Sequence, residues 1–336
     1  MSHIATAAER ALTTSTMMQF HLTTQPSRER VLHYYNLLCS FRVPPSAHTY
    51  KLLLDAYAVL QPIDLPAMER VFNDICGDSS VRVQGTHWAS LISAYGISGN
   101  DLDKSLQLFE SIPNHPRARV DLRAEPVVWE AVLNVVAQKG SVEQMESIRN
   151  RMIQLGARST AYVHNVLITG YARAGLADKA REVFAAMGDS VTGVAAPNNH
   201  PQLLTSSGHV KPSTVTDRPT EIVYREPSTY ESMIRAELSF GDVAAAEAVM
   251  AKMAERRYPA AVFMRARHIL DDYLVHHPKA GGKDGGDVFA NDAAWGVFTP
   301  MEEPPSQTGT YREAENSEVQ QPQETRESQE PIEKKQ

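Results

Sequence analysis

Apolar residues along this chain recur at helical spacing in paired segments, and the pairs repeat at a fixed step. The segments 129–152 and 164–187 each hold two apolar helical patterns separated by a glycine, Gly140 in the first and Gly175 in the second. The two glycines stand 35 residues apart, and the first residues of the two segments repeat that step. A period of this length is typical of stacked helical hairpins, in which each unit packs only on its neighbours. The pattern therefore predicts an all-α solenoid.

The same register extends in both directions along the chain. It predicts hairpins at 48–75, 86–112 and 228–253, the second helix of a degenerate first unit at 27–41, and a capping helix that begins near Ala260. Between 188 and 225 the chain is rich in Pro, Ser, Thr, Gly and Asn and has no sustained period, so we expect an inserted loop. The array then spans 27–276 with about five hairpins. The segment 1–26 before it is either a weak targeting region or a first helix.

The net charge of −7 is concentrated at the C-terminus. Residues 277–336 hold 12 acidic and 6 basic side chains, and they are rich in Gln, Glu and Pro. Such a composition cannot bury enough apolar surface to offset the entropy of ordering, so we expect a disordered acidic tail. The rest of the chain is then close to neutral. Its charge alone does not indicate a nucleic-acid ligand, because phosphate binding depends on Lys and Arg.

The sequence has no pattern typical of an enzyme, a cofactor site or a membrane protein. Nucleotide-binding loops, nucleophile elbows and the deaminase zinc signature are absent. No apolar run approaches the ~20 residues that a membrane helix needs. Cys39 and Cys76 are too few for a disulfide framework or a zinc site, so we expect both to be buried small hydrophobes. We therefore expect no enzymatic activity and no cofactor.

One local pattern near the end of the array has two interpretations. His268, Asp272 and His276 recur every four residues and share a helix face. They could ligate zinc or manganese. The alternative, which we favour, is a solvated face with charge pairs between residues four apart.

The residues of each unit also carry a family resemblance. An aromatic residue is followed by x-x-Leu-Ile, a Tyr, a Gly turn and a second helix of the form Ala-x-x-h-Phe-x-x-Met, most clearly in 164–187. Over 27–276 the units resemble pentatricopeptide repeats of the divergent fungal or mitochondrial type. The resemblance implies a right-handed α-solenoid of the tetratricopeptide-like helical superfamily. It also implies single-stranded RNA as the ligand, bound on the concave face of the first helices with one base per repeat.

The resemblance also implies which residues face the RNA. They are the residue after each leading aromatic, the last residue of the repeat and the residues that flank the base. The candidate residues are Lys51, Ala89, Val127, Glu130, Thr160, Tyr162, Asn165, Glu231, Arg235 and Arg265. Asn165 is a typical base reader, whereas Ala89 has no group that can hydrogen-bond a base.

Two hypotheses about function follow from the sequence. The first is an RNA-binding factor without implied DNA specificity, acting in organellar transcript stability, processing or translation, and located in mitochondria or otherwise in the cytoplasm. The alternative is an α-solenoid scaffold or respiratory-complex assembly factor that binds protein in its concave groove. The near-neutral body favours the scaffold, and the family resemblance favours RNA. The aromatic segment 287–298 is either a docking motif for a protein partner or a segment that packs on the last helix.

Overall fold

The computed structural model describes residues 6–192 and 222–277, which form thirteen α-helices. In chain order these are α1 (Ala7–Thr23), α2 (Arg28–Ser40), α3 (Ala47–Val59), α4 (Leu65–Gly77), α5 (Gly85–Ser93), α6 (Leu102–Ser111), α7 (Pro126–Lys139), α8 (Val142–Gln154), α9 (Ala161–Arg173), α10 (Ala177–Ala186), α11 (Pro227–Ser239), α12 (Val243–Glu255) and α13 (Ala260–His276). A π-helical turn, Ala94–Ser98, continues α5. Most of the expected inserted loop, the aromatic segment 287–298 and the acidic tail lie outside the described residues.

Consecutive helices pair into hairpins that stack in two layers. The odd-numbered helices, here called the first helices, pack side by side from α1 to α13. Each even-numbered helix, or second helix, packs on the first helix of its own hairpin and on the first helix of the next. Every unit therefore buries its apolar face against its neighbours, as expected of a repeat array. The predicted all-α solenoid is confirmed.

The array begins earlier than the sequence pattern indicated. The described part of the chain holds six hairpins followed by α13, because α1 packs on α2 and on α3. The N-terminal segment is thus the first helix of the first unit. Thr6 caps α1 in a reciprocal capping box with Glu9. Met18 and Leu22 of α1 are buried in the common core.

The leading aromatic position of each unit ties the first helix to the joint between hairpins. Four leading side chains, Tyr50, Trp88, Trp129 and Tyr230, are buried. Trp88 Nε1 donates to the Ala118 carbonyl and Trp129 Nε1 donates to the Leu122 carbonyl, each at 2.8 Å. The two tyrosines bond to acidic joint residues, Tyr50 to Asp78 at 3.4 Å and Tyr230 to Asp189 at 2.7 Å. One position therefore supplies both an apolar ring to the core and a polar atom to the joint.

The two ends of the expected inserted loop are held together. Gly188 and Tyr224 form an isolated parallel bridge, in which Gly188 N donates to Val223 O at 2.9 Å and Arg225 N donates to Gly188 O at 2.8 Å. The Arg225 guanidinium lies over the Phe184 ring and donates to the Phe184 carbonyl from two nitrogens. As a result, α10 packs on α11 like any other adjacent pair, and the insertion leaves the stacking intact.

Ion pairs join the second helices of successive hairpins. Lys104 pairs with Glu69, Arg151 with Glu110 and Lys179 with Glu146. The side chains in these pairs are at least a third exposed, and exposed pairs of this kind contribute only about 0–1 kcal/mol each. Their main effect on this layer is to neutralise its charges locally.

Two details differ from the sequence expectation. Cys39 is exposed at the end of α2 and only Cys76 is partly covered, so the prediction that both are buried was wrong. The cause is that Cys39 falls on the solvent side of a helix whose buried residues are Val31 and Leu38. The glycine turns also differ: Gly175 adopts φ +73°, a conformation that favours glycine, whereas Gly140 has φ −98°.

Trp129 tests the contribution of the leading aromatic. We expect Trp129→Phe to keep most of the ring packing but to leave the Leu122 carbonyl unsatisfied, at a cost of about 1–3 kcal/mol in the free energy of unfolding. Trp129→Ala also opens a cavity and should cost about 3–5 kcal/mol. Urea unfolding followed by circular dichroism measures both. Equal stability of the wild type and Trp129→Phe would contradict a role for the indole N–H.

Candidate ligand groove on the first helices

Three successive first helices, α7, α9 and α11, enclose a groove of about 770 Å³ that opens to solvent. We call it the first-helix groove. Most of the side chains that line it are polar or small. They are Asn134, Ala137, Gln138, Tyr162, Asn165, Val166, Thr169, Arg173, Ser228, Glu231, Ser232 and Arg235.

The lining residues occupy equivalent positions in successive repeats. Asn134 on α7 corresponds to Thr169 on α9, 35 positions later, and to Arg235 on α11 after the insertion. Asn165 and Glu231 are equivalent in the same way. Since the first helices pack side by side, this register places polar groups in rows across the groove. A linear ligand that crosses the helices would meet one row after another.

Asn165 is held in the floor of the groove with one hydrogen-bonding atom unused. Its side chain is 8% exposed, and Nδ2 donates to Ser228 Oγ on α11 at 3.1 Å. Oδ1 is buried and has no hydrogen-bond partner among the described residues. An orphaned buried acceptor costs about 1–3 kcal/mol. The Asn165 side chain therefore keeps one unmet hydrogen bond at the floor of the groove.

Glu231 has a similar arrangement on the next first helix. It is 2% exposed, and its Oε1 accepts from Arg265 Nε of α13 at 2.7 Å. Its Oε2 is buried without a partner among the described residues. Because Arg265 lies largely in solvent, the guanidinium offsets the buried carboxylate while its remaining donors stay accessible.

Glu130 lies on α7 beside the groove and is half-buried. Thr160, which precedes α9, donates its hydroxyl hydrogen to Glu130 Oε1. Burial raises the pKa of the Glu130 carboxyl, and the charge of Glu226 raises it further. Burial also raises the pKa of the Tyr162 phenol, which lines the groove. Burial thus disfavours the ionised form of both groups.

The structure separates the ten candidate residues into three groups. Tyr162, Asn165, Glu231 and Arg235 line the groove together. Glu130, Thr160 and Arg265 lie next to it through the bonds just described. Three candidates lie among the packed side chains of the core, namely Lys51, Ala89 and Val127.

Lys51 has an internal partner. Its Nζ lies 2.7 Å from Asp55 Oδ2 one turn along α3, and both side chains are less than a tenth exposed. Ser90 Oγ on α5 donates to Asp55 Oδ1 at 2.6 Å. This buried pair joins two first helices and is surrounded by protein.

Several groove residues were not among the sequence candidates, chiefly Asn134, Gln138, Thr169, Arg173 and Ser232. Four of them lie one helical turn after a candidate or after each other, as Asn134 follows Glu130 and Thr169 follows Asn165. Residues four apart share a helix face. Polar residues that recur one turn after the candidate position, at the same 35-residue step, were the available signal.

The other candidate chemistry does not assemble in the described part of the chain. His276 Nδ1 lies 3.5 Å from Asp272 on the exposed face of α13, and no group of three or more His, Cys, Asp or Glu side chains suited to a metal ion occurs among residues 6–192 and 222–277. Within the same residues, no helix is long and apolar enough to cross a membrane.

Comparisons with known proteins agree with the repeat pattern. A family model of the pentatricopeptide repeat matches residues 162–190, which cover most of α9 and all of α10. Over 266 residues the chain is 28% identical to the pentatricopeptide repeat-containing protein 5, mitochondrial, of Schizosaccharomyces pombe, a match that covers 79% of this chain and 18% of that protein. The chain thus spans less than a fifth of the length of this relative.

Solved structures of the maize pentatricopeptide repeat protein PPR10 are also similar. The crystal structure of PPR10 has a TM-score of 0.42 and 17% identity, covering 84% of this chain and 41% of PPR10. The structure of PPR10 in complex with an 18-nt psaJ RNA element has a TM-score of 0.41 and 15% identity, covering 86% of this chain and 41% of PPR10.

The buried Lys51–Asp55 pair generates a prediction about stability. We expect Lys51→Met to lower the free energy of unfolding by about 3–5 kcal/mol, because it leaves the Asp55 carboxylate buried without its cation. The double variant Lys51→Met with Asp55→Leu should recover most of the loss. Urea unfolding measures both. No difference between the single variant and the wild type would place Lys51 in solvent, as a ligand contact requires.

The raised pKa of the Glu130 carboxyl predicts that the stability of the protein depends on pH. Because the folded-state pKa is raised above the unfolded value of about 4.3, the contribution of Glu130 is fully present below that value and is lost as the pH rises through the folded-state pKa. Glu130→Gln removes the desolvated charge and keeps an acceptor for Thr160. We expect this variant to be more stable than the wild type at pH 7.5, with the difference vanishing near pH 4. If the two proteins differ in the free energy of unfolding by the same amount at every pH, the raised pKa of Glu130 is contradicted.

Proposed function

We propose that the chain functions as a pentatricopeptide repeat protein and binds single-stranded RNA in the first-helix groove. The observation that carries the proposal is the register of polar side chains across α7, α9 and α11. Repeat proteins of this kind read one base per repeat with two or three side chains. Each repeat supplies one row of polar groups, so that successive bases of a strand can each meet one row.

The chemistry of the groove suits base edges that donate hydrogen bonds. Asn165 Oδ1 and Glu231 Oε2 are acceptors without partners among the described residues. The exocyclic amines of adenine and cytosine supply donors of the required kind. Arg235 projects from α11 into the same groove and can pair with a phosphate. Base contacts would therefore come from the floor of the groove and backbone contacts from its arginines.

The proposed mechanism is passive. A bound strand occupies the groove, so that nucleases are excluded from it and other machinery is recruited or blocked. The S. pombe relative is named as a mitochondrial protein, and we propose a mitochondrial role in transcript stability, processing or translation for this chain too. Hydrogen bonding to base edges, rather than net charge, would supply most of the affinity in the groove, because the body of the chain is close to neutral.

The test begins with ultraviolet crosslinking of the endogenous protein and sequencing of the bound RNA. A synthetic oligonucleotide of the enriched sequence then serves as the probe in fluorescence anisotropy. We expect Asn165→Ala with Arg235→Ala to weaken its binding roughly tenfold or more, since a base contact and a phosphate contact are both lost. Circular dichroism should show that the variant is folded.

Lys252→Ala is the matched control, because Lys252 is exposed on the second helix α12, away from the groove. It should bind the oligonucleotide like the wild type. Recovery of no enriched transcript, together with retention of the protein on a protein complex at all salt concentrations, would refute RNA binding and favour the scaffold function. Equal affinity of the groove variant and the control would refute the groove as the site.

A further inference from the structure

The joint between α6 and α7 presents a row of arginines to solvent. Along 117–123 the side chains alternate between the core and the surface. Ala118, Val120 and Leu122 are buried, whereas Arg117, Arg119 and Arg123 are exposed. The segment is irregular, with turns at 116–118 and 122–124. The row is therefore a consequence of how the joint packs.

Two buried indoles hold the backbone of this joint in place. The Trp88 and Trp129 side chains donate to the carbonyls of Ala118 and Leu122, at 2.8 Å in both cases. At the start of the joint, His115 Nδ1 accepts from the backbone N–H of Ala118 at 2.8 Å. The anchors come from two successive repeats, so the arginine row has a fixed position relative to the array. A positioned row of cations costs less entropy to engage than a mobile one.

Two arginines of this row, Arg119 and Arg123, form one wall of a cleft that opens to solvent. Arg82 from the preceding joint and Arg151 from the end of α8 complete it. The lining holds four arginines and a single carboxylate, that of Asp121. We call this site the joint cleft. It shares no residue with the first-helix groove.

The charges in the joint cleft are poorly balanced by the protein itself. Within the described part of the chain, Arg151 pairs with Glu110. Among the described residues, Arg82, Arg119 and Arg123 form no ion pair within 4.0 Å. The charge of Arg82 acts on the Glu125 carboxyl, whose pKa burial raises and this charge lowers. The Asp121 carboxylate accepts from the backbone N–H of Arg123 at 3.0 Å. Elsewhere, cations such as Lys179 and Arg181 are paired with acidic side chains of neighbouring helices. The joint cleft is thus a local excess of positive charge on a near-neutral body.

We propose that the joint cleft binds phosphate groups of the RNA strand where it lies outside the first-helix groove. The inference rests on the proposed function, since the ligand is the same strand. Guanidinium groups bind phosphate oxygens through paired N–H donors. Arg119 and Arg123 lie four residues apart in the same joint and both line the cleft, so that a strand crossing it can meet more than one guanidinium. Leu155, which is partly exposed in the cleft, offers an apolar surface to a base or ribose.

The test compares two triple variants with the same change in charge. The cleft variant is Arg82→Gln, Arg119→Gln and Arg123→Gln. The control is Arg30→Gln, Arg70→Gln and Lys252→Gln, three exposed side chains on the second helices α2, α4 and α12. Affinity for the crosslink-derived oligonucleotide is measured at several KCl concentrations. The slope of log K against log salt falls by about 0.7 for each phosphate contact that a single strand loses.

We expect the cleft variant to bind roughly tenfold more weakly at low salt, with a slope shallower by about 2. The control should match the wild type in both. A second arm uses oligonucleotides with neutral methylphosphonate linkages. Linkages whose neutralisation weakens the wild type but not the cleft variant mark the phosphates that the cleft contacts, since coupled losses are not additive.

The outcomes separate the inference from the proposed function. If the groove variant Asn165→Ala with Arg235→Ala weakens binding and the cleft triple variant does not, the inference is overturned and RNA binding stands. If the wild type binds no RNA, both are overturned. Binding of an acidic peptide by the cleft, with RNA affinity unchanged in the cleft variant, would assign the cleft to a protein partner and overturn the inference.

Discussion

The constraint on which this array depends is the double role of the leading aromatic position. Each such side chain must be large and apolar enough to fill the space between a first helix and its neighbours. It must also place a polar atom where the joint between hairpins needs one. Trp88, Trp129, Tyr50 and Tyr230 all do so, although their hydrogen-bond partners differ in residue type and distance along the chain. The joint residue that accepts the hydrogen bond changes from repeat to repeat, whereas the donor is always the side chain at the leading position.

This arrangement explains why joints of different length leave the stacking of the first helices unchanged. A joint needs only one contact point with the buried ring, and the remainder of its residues can follow another path. The joint between α6 and α7 uses two such points, at Ala118 and Leu122. The expected insertion after α10 is closed by the Gly188–Tyr224 bridge and by Asp189, which binds both Tyr230 and Arg225. Because the register survives, polar residues at equivalent positions of α7, α9 and α11 fall into rows.

The sequence predicted the architecture well because a repeat period reports on packing directly. Helix positions, the leading aromatics and the insertion all follow from apolar spacing. The site was harder to predict, because exposure depends on neighbours that the period does not specify. Lys51 is buried since Asp55 and Ser90 enclose it between α3 and α5. The groove is also lined one turn beyond several of the candidate positions, where Asn134 and Thr169 lie. For the segment 1–26 the sequence left a first helix and a weak targeting region as alternatives, because this unit lacks the glycine turn and the aromatic spacing of the others.

The net charge of such an array does not indicate its ligand, because it sums over surfaces that have different functions. In the layer of second helices, acidic and basic side chains of successive helices neutralise one another, for example Glu146 and Lys179. In the groove, Arg265 offsets the buried carboxylate of Glu231. These pairs balance charge locally within the near-neutral body and leave the arginines of the α6–α7 joint without such partners among the described residues. A polyanion responds to the local field within about a Debye length, roughly 8 Å at physiological salt, and not to the total. A near-neutral body is therefore compatible with an RNA ligand, provided that the unbalanced cations lie along the path of the strand.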